Sequence, residues 1–121
     1  MLKPLGVIMD TIDGINPKKD TTLALLLAAQ QRQWPIFYME IQDLFLVNEK
    51  PYARMRSLQV KNDAKNWFEF GKETIAGLDS LSVILMRKDP PLDMQYIYAT
   101  QLLDKAEQQG VLIANHPQSL R

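Results

Sequence analysis

The sequence predicts a three-layer α/β domain: a mostly parallel sheet, helices on both faces, and one inserted antiparallel hairpin. Two observations carry this. Short apolar runs at 5–9, 36–39, 81–85 and 111–114 alternate with helical patterns of crossover length, which argues parallel strands covered by helices. Between 41 and 80 the alternation gives way to two strand-like runs around a turn, the pattern of a hairpin. At 121 residues, the span 1–121 suits one domain with one modest core.

The elements follow in order. Residues 5–9 are continuously apolar, as a strand buried on both faces requires. Residues 10–16 then form a loop carrying Asp10, Asp13 and Gly14. Asn16-Pro17 is a good helix opening, with Asn as cap and Pro at the first helical position. Asp20-Thr21-Thr22 offers a second cap a turn later, so that boundary stays open. Residues 23–29 are apolar nearly all round, which suits a helix wedged against a sheet. Trp34-Pro35 ends it, and 36–39 is the second strand.

Residues 44–47 and 52–60 read as hairpin strands around Asn48-Glu49-Lys50-Pro51. Arg54 and Arg56 alternate along the second of these and share a face, either a solvated one or an interface. Residues 62–71 set Trp67, Phe68 and Phe70 among polar neighbours and fit a strand or a short helix equally well. These aromatics are expected to serve packing or subunit contact. After the strand at 81–85, Asp93 caps a helix running to 109. Its apolar stripe is Met94, Ile97, Tyr98, Leu102 and Ala106, widened by Leu103. Gly110 supplies the C-terminal cap, and 111–114 is the last strand.

Composition excludes several classes. Fourteen basic side chains balance 14 acidic ones, so no global field favours nucleic acid or an anionic membrane. The absence of cysteine excludes disulfides and Cys-ligated zinc. The N-terminal apolar run is broken by Pro4 and stopped by Asp10, too short for a signal peptide or a membrane span. The expectation is a soluble cytoplasmic domain with no nucleic acid or membrane partner.

Four strand ends deliver polar groups: Asp10, Glu40, Arg87-Lys88-Asp89, and Asn115 with Gln118. In a parallel sheet these ends share one edge, where open α/β sheets bind ligands. Polar groups also occupy strand ends simply because strands emerge into water. Arg87 with Lys88 goes further, because Arg grips a carboxylate or phosphate through two parallel hydrogen bonds and the Lys adds charge. Pro90-Pro91 holds the exit from this cluster extended. The five glycines are scattered and match neither dinucleotide nor Walker spacing, so no phosphate-cradling loop is expected. His116 has no second His or Cys to form a transition-metal site or a triad. Asp10 and Asp13 are of the right type for Mg²⁺, though Asp-rich loops more often make Asx-turns.

Ordered matches run from one end of the chain to the other. They include Val7-Ile8-Met9-Asp10, Tyr38-Met39-Glu40, Arg56-Ser57-Leu58-Gln59-Val60-Lys61, Tyr96-Ile97-Tyr98-Ala99-Thr100 and, most specifically, Arg87-Lys88-Asp89-Pro90-Pro91 and Pro117-Gln118-Ser119-Leu120-Arg121. In these the chain resembles the N-terminal part of bacterial glutathione synthetase. That family ligates glycine to γ-glutamylcysteine, using ATP and Mg²⁺ through an acyl phosphate. The resemblance implies a Rossmann-like pre-ATP-grasp domain that helps bind γ-glutamylcysteine. ATP and Mg²⁺ would belong to ATP-grasp domains beyond Arg121, and none is expected bound by this stretch. It also implies an anionic peptide at the ligand edge, with Arg87, Lys88, Asp89, Asp10, Asn115 and Gln118 as substrate-binding candidates. No general base or other catalytic group is expected among these residues. A homo-oligomer is expected. His116 stands where the family usually carries lysine.

Two other classes compete. One is a stand-alone regulatory α/β domain with an acidic Mg²⁺ pocket of Asp10, Asp13, Asp89 and Lys88. The Pro90-Pro91 exit and the inserted hairpin count against it. The other is a non-catalytic assembly module using the hairpin and its aromatics.

Overall fold

The computed structural model describes residues 4–9, 21–61, 66–87 and 94–114. In chain order the elements are β1 (Leu5–Ile8), α1 (Thr21–Gln31), β2 (Ile36–Met39), β3 (Leu44–Val47), β4 (Lys50–Val60), β5 (Phe68–Gly77), β6 (Val83–Met86), α2 (Met94–Gln108) and β7 (Leu112–Ala114). Two 3₁₀ turns, Ile41–Asp43 and Leu78–Ser80, precede β3 and β6. The Asn16-Pro17 helix opening lies outside the described residues.

β2, β1, β6 and β7 lie side by side and parallel. Ile8 is level with both Met39 and Met86, so three strands end together at the carboxyl edge. α1 packs on one face and α2 on the other, which divides the core in two. Leu5, Val7, Met9, Leu23, Leu26 and Trp67 belong to the α1 side. Ile8, Met39, Ile84, Met86, Leu102 and Ala106 belong to the α2 side. Burial on both faces explains why these strands are apolar without alternation. Gly6 is needed in β1, because a Cβ there would lie 2.6 Å from Leu81 Cδ1 and 2.7 Å from Met39 Cε. The fold is Rossmann-like, as the sequence predicts.

The inserted antiparallel portion is larger than a hairpin. β4 pairs with β3 through residues 50–53, with β2 through 56–58, and with β5 from Tyr52 to Val60. A strand has two edges, and β5 occupies one of them from Tyr52 to Val60. β2 and β3 therefore stand end to end on the other edge. The β3–β4 turn is tighter than expected: Asn48 (φ 50°) and Glu49 (φ 67°) alone make it, the two positive φ angles of a type I′ turn. Pro51 lies inside β4 and is buried there.

β5 resolves the ambiguity at 62–71 in favour of a strand for 68–71 and extends it through Gly77. All of its residues from Gly71 to Ile75 are exposed, so no two-residue periodicity marks it. Trp67 is buried, and Phe68 and Phe70 pack partly buried against the α1-side core. Phe70 stacks at 5.0 Å from Tyr38 and 5.5 Å from Phe68. Packing is the role of these aromatics here.

α2 presents a different stripe from the expected one. Ala99, Leu102, Leu103 and Ala106 are buried, whereas Met94 (80% exposed), Ile97 and Tyr98 face outward. The helix carries apolar residues over more than half its circumference. The small side chains of Ala99 and Ala106 allow close approach to the sheet, and they set the rotation. Gly110 ends the helix turn with φ 101°, the left-handed conformation of a C-terminal cap.

Candidate functional site at the carboxyl edge of the sheet

The chain leaves β1 toward β2 by way of α1, and leaves β6 toward β7 by way of α2 on the opposite face. The connections diverge between β1 and β6, which makes this the topological switch point of the sheet. Such a crevice is where open α/β folds take ligands. Arg87 is the residue immediately after β6, and its position there is fixed twice. Its backbone N–H donates to Ile8 carbonyl oxygen at 2.8 Å, which extends the β1–β6 ladder by one step. Its side-chain Nε donates to Thr22 Oγ1 at 3.1 Å. Val83 and Leu85 pack on the α1 side, so the alternation of β6 sends Arg87 to that side as well. There it meets the first turn of α1.

Thr22 is 2% exposed. Sequence reasoning took it only as part of an alternative helix cap. Its sequence neighbours carry no sign of a partner 65 residues away; the apolar run at 23–29 predicts only a helix wedged against a sheet.

Glu40 follows β2 at the same edge and opens the Ile41–Asp43 turn. Its N–H donates to Asp43 Oδ2 at 2.9 Å, and its carboxylate accepts from the Tyr38 hydroxyl and from Gln42 Nε2. Those bonds bind it to its own turn and give it a structural assignment. Among the expected site residues, Arg87 lies at the carboxyl edge of the sheet, whereas Lys88, Asp89, Asp10, Asn115 and Gln118 lie outside the described residues. Asp13, proposed for a Mg²⁺ pocket, also lies outside them.

Gly6, Gly71 and Gly77 lie within strands and Gly110 at the end of α2; none of these four opens a strand-to-helix turn where backbone N–H groups cradle phosphate. No group of three His, Cys, Asp or Glu among the described residues is placed to share a metal ion. A cleft of about 560 Å³ opens at the opposite end of β2, lined by Gln30, Gln33, Trp34 and Gln59. It carries no charged side chain and does not reach Arg87. Among the described residues, no helix is long and apolar enough to cross a membrane.

The sequence comparisons agree with one another. The relatives include glutathione synthetases of Shewanella oneidensis, 56% identical, Pseudomonas syringae pv. tomato, 57% identical, and Salmonella typhimurium, 53% identical. Each match covers 117 residues, 97% of this chain but 37% of the relative. The chain thus spans little more than a third of the length of these proteins. The family model for the prokaryotic glutathione synthetase N-terminal domain matches residues 4–121. The chain belongs to that family, the N-terminal domain of prokaryotic glutathione synthetase.

Proposed function

We propose that this domain presents γ-glutamylcysteine to the rest of a glutathione synthetase, for ATP-dependent ligation with glycine. The observation that carries the reading is Arg87, a cation held at the switch point by the Ile8 carbonyl and the Thr22 hydroxyl. An arginine oriented there suits the carboxylates of a small anionic peptide, which it can grip through two parallel hydrogen bonds. Lys88, Asp89, Asp10, Asn115 and Gln118 complete the proposed pocket. The acidic members would pair with the peptide's ammonium or hold the basic side chains.

The contribution of this domain is positioning and charge complementarity around the reacting carboxyl group. ATP and Mg²⁺ are assigned to the ATP-grasp portion of the ligase, which supplies the phosphate that activates the carboxyl. In the same reading, residues 1–121 act as one unit, in the cytoplasm and within a homo-oligomeric ligase.

The test is steady-state kinetics on the full-length ligase that carries this chain. Arg87→Met should lower kcat/KM for γ-glutamylcysteine about 30-fold or more, since breaking a desolvated charge pair costs roughly 2–5 kcal/mol at about 1.4 kcal/mol per tenfold. Arg87→Lys should recover only part, because it loses the two-pronged geometry. The KM for ATP should move much less. Equal losses for both substrates, with lowered stability, would instead make Arg87 a structural residue.

A further inference from the structure

We infer that Thr22 is a positioning residue for peptide binding, acting through Arg87; this rests on the reading of Arg87 as the peptide's anchor. An exposed arginine samples many rotamers, and a ligand must order them at its own expense. Arg87 is half-buried, and its Nε donates to a hydroxyl that is itself almost wholly buried. That bond restricts where the guanidinium can lie relative to α1. The orientation of the Nη fork, which addresses a carboxylate end-on, is restricted with it.

The hydroxyl is a firm support for three reasons. Thr22 is in the first turn of α1, so its backbone is held by the helix. Threonine is branched at Cβ and stiff about χ1, so its oxygen has few alternative places. The helix itself is anchored by Leu23, Leu26 and Ala29 in the α1-side core. Movement of the hydroxyl would require movement of α1 against β1. The result is a chain of support from core to helix to hydroxyl to guanidinium. It joins the α1 crossover to the end of β6, the two elements that bound the switch point. Thr22 touches no reacting atom in this scheme; its effect is on how much ordering the peptide must impose.

The experiment is a double-substitution cycle in the full-length ligase, with γ-glutamylcysteine and ATP varied in turn. Thr22→Val keeps the shape and removes the acceptor. It should raise KM for γ-glutamylcysteine about tenfold, the scale of a hydrogen bond to a charged group. The KM for ATP should stay within about twofold, a change of about 0.4 kcal/mol at about 1.4 kcal/mol per tenfold. Thr22→Ser restores the hydroxyl and should return KM to within about threefold of the parent, the methyl group being the remaining difference. In an Arg87→Met background, Thr22→Val should add little, because the group it positions is already gone.

A parent-like KM for Thr22→Val beside a large loss for Arg87→Met would overturn the inference and leave the peptide reading standing. An Arg87→Met enzyme with parent-like peptide kinetics would overturn the peptide reading itself, and the inference with it. Full additivity in the double variant, or no rescue by serine, would make Thr22 merely structural. Should Thr22→Val not fold, Thr22→Ser decides alone: a peptide KM far above the parent's would refute the role of the hydroxyl.

Discussion

The parallel half of the molecule and the antiparallel ribbon are held together by different means. β1, β2 and β6 carry side chains packed on both faces, between α1 and α2. β4 alternates more, burying Pro51, Ala53, Met55, Leu58 and Val60 and exposing Lys50, Arg54, Arg56 and Gln59. β5, beyond it, leaves Ile75 62% exposed. Only the parallel half ends in a switch point, and there the backbone positions of Met9 and Arg87 are fixed by bonds to Met39 and Ile8. Packing on both faces is thus concentrated under the candidate site, whereas β5 at the rim of the ribbon buries little of itself.

The severest test of this contrast is a cavity in the parallel half. Ile84 is fully buried in β6 beneath α2. Ile84→Ala should destabilise the chain by about 2–5 kcal/mol, measured by urea denaturation. Phe70, partly buried on the ribbon, should cost less when cut to alanine, roughly 2 kcal/mol. A Phe70→Ala loss equal to that of Ile84→Ala would abolish the distinction.

Gln30 sharpens it next. Its side-chain amide donates to Val60 carbonyl oxygen at 2.6 Å and accepts from Val60 N–H at 2.8 Å. It thereby stands in for a backbone partner where β2 has not yet begun. Gln30→Ala would withdraw both bonds from a buried residue, at about 1–2 kcal/mol. Faster hydrogen exchange at Val60, with β1 amides unchanged, would place that loss in the ribbon alone.

The smallest effect belongs to Glu73. Its carboxylate lies 3.6 Å from Arg56 Nε, with both side chains about half exposed. Glu73→Ala should change stability by less than about 0.5 kcal/mol, and high salt should hide even that. A larger loss would mean that β5 rests on its charges and not on Phe70, over whose ring Arg56 also lies at 5.0 Å.

The same contrast explains what could be read from the sequence. β1, β2 and β6 are legible because burial on both faces leaves uninterrupted apolar runs. The second half of β5 is not, because Lys72, Glu73 and Thr74 are exposed and obey no period. On α2, Met94 and Ile97 point outward despite their apolar side chains, while Ala99, Leu102, Leu103 and Ala106 form the contact face. Arg87 could be found from its place between an apolar run and two prolines. Thr22 could not, since its significance arises from a fold that brings together residues 65 apart.

The sharing of one β4 edge by β2 and β3 has a consequence for approach to the ligand edge. β2 reaches its end near Arg56, yet β4 continues to Lys50, with β3 beside it and β5 behind it as far as Tyr52. That continuation is about five or six residues, or roughly 16–20 Å of strand standing above the carboxyl ends of the parallel strands. The edge beside β2 is accordingly a corner and not an open ledge. β3 forms the inner side of its upright wall, and among the described residues no strand pairs with the other edge of β3. Among the described residues, the β3–β4 extension therefore bounds the carboxyl edge of the sheet on its β2 side.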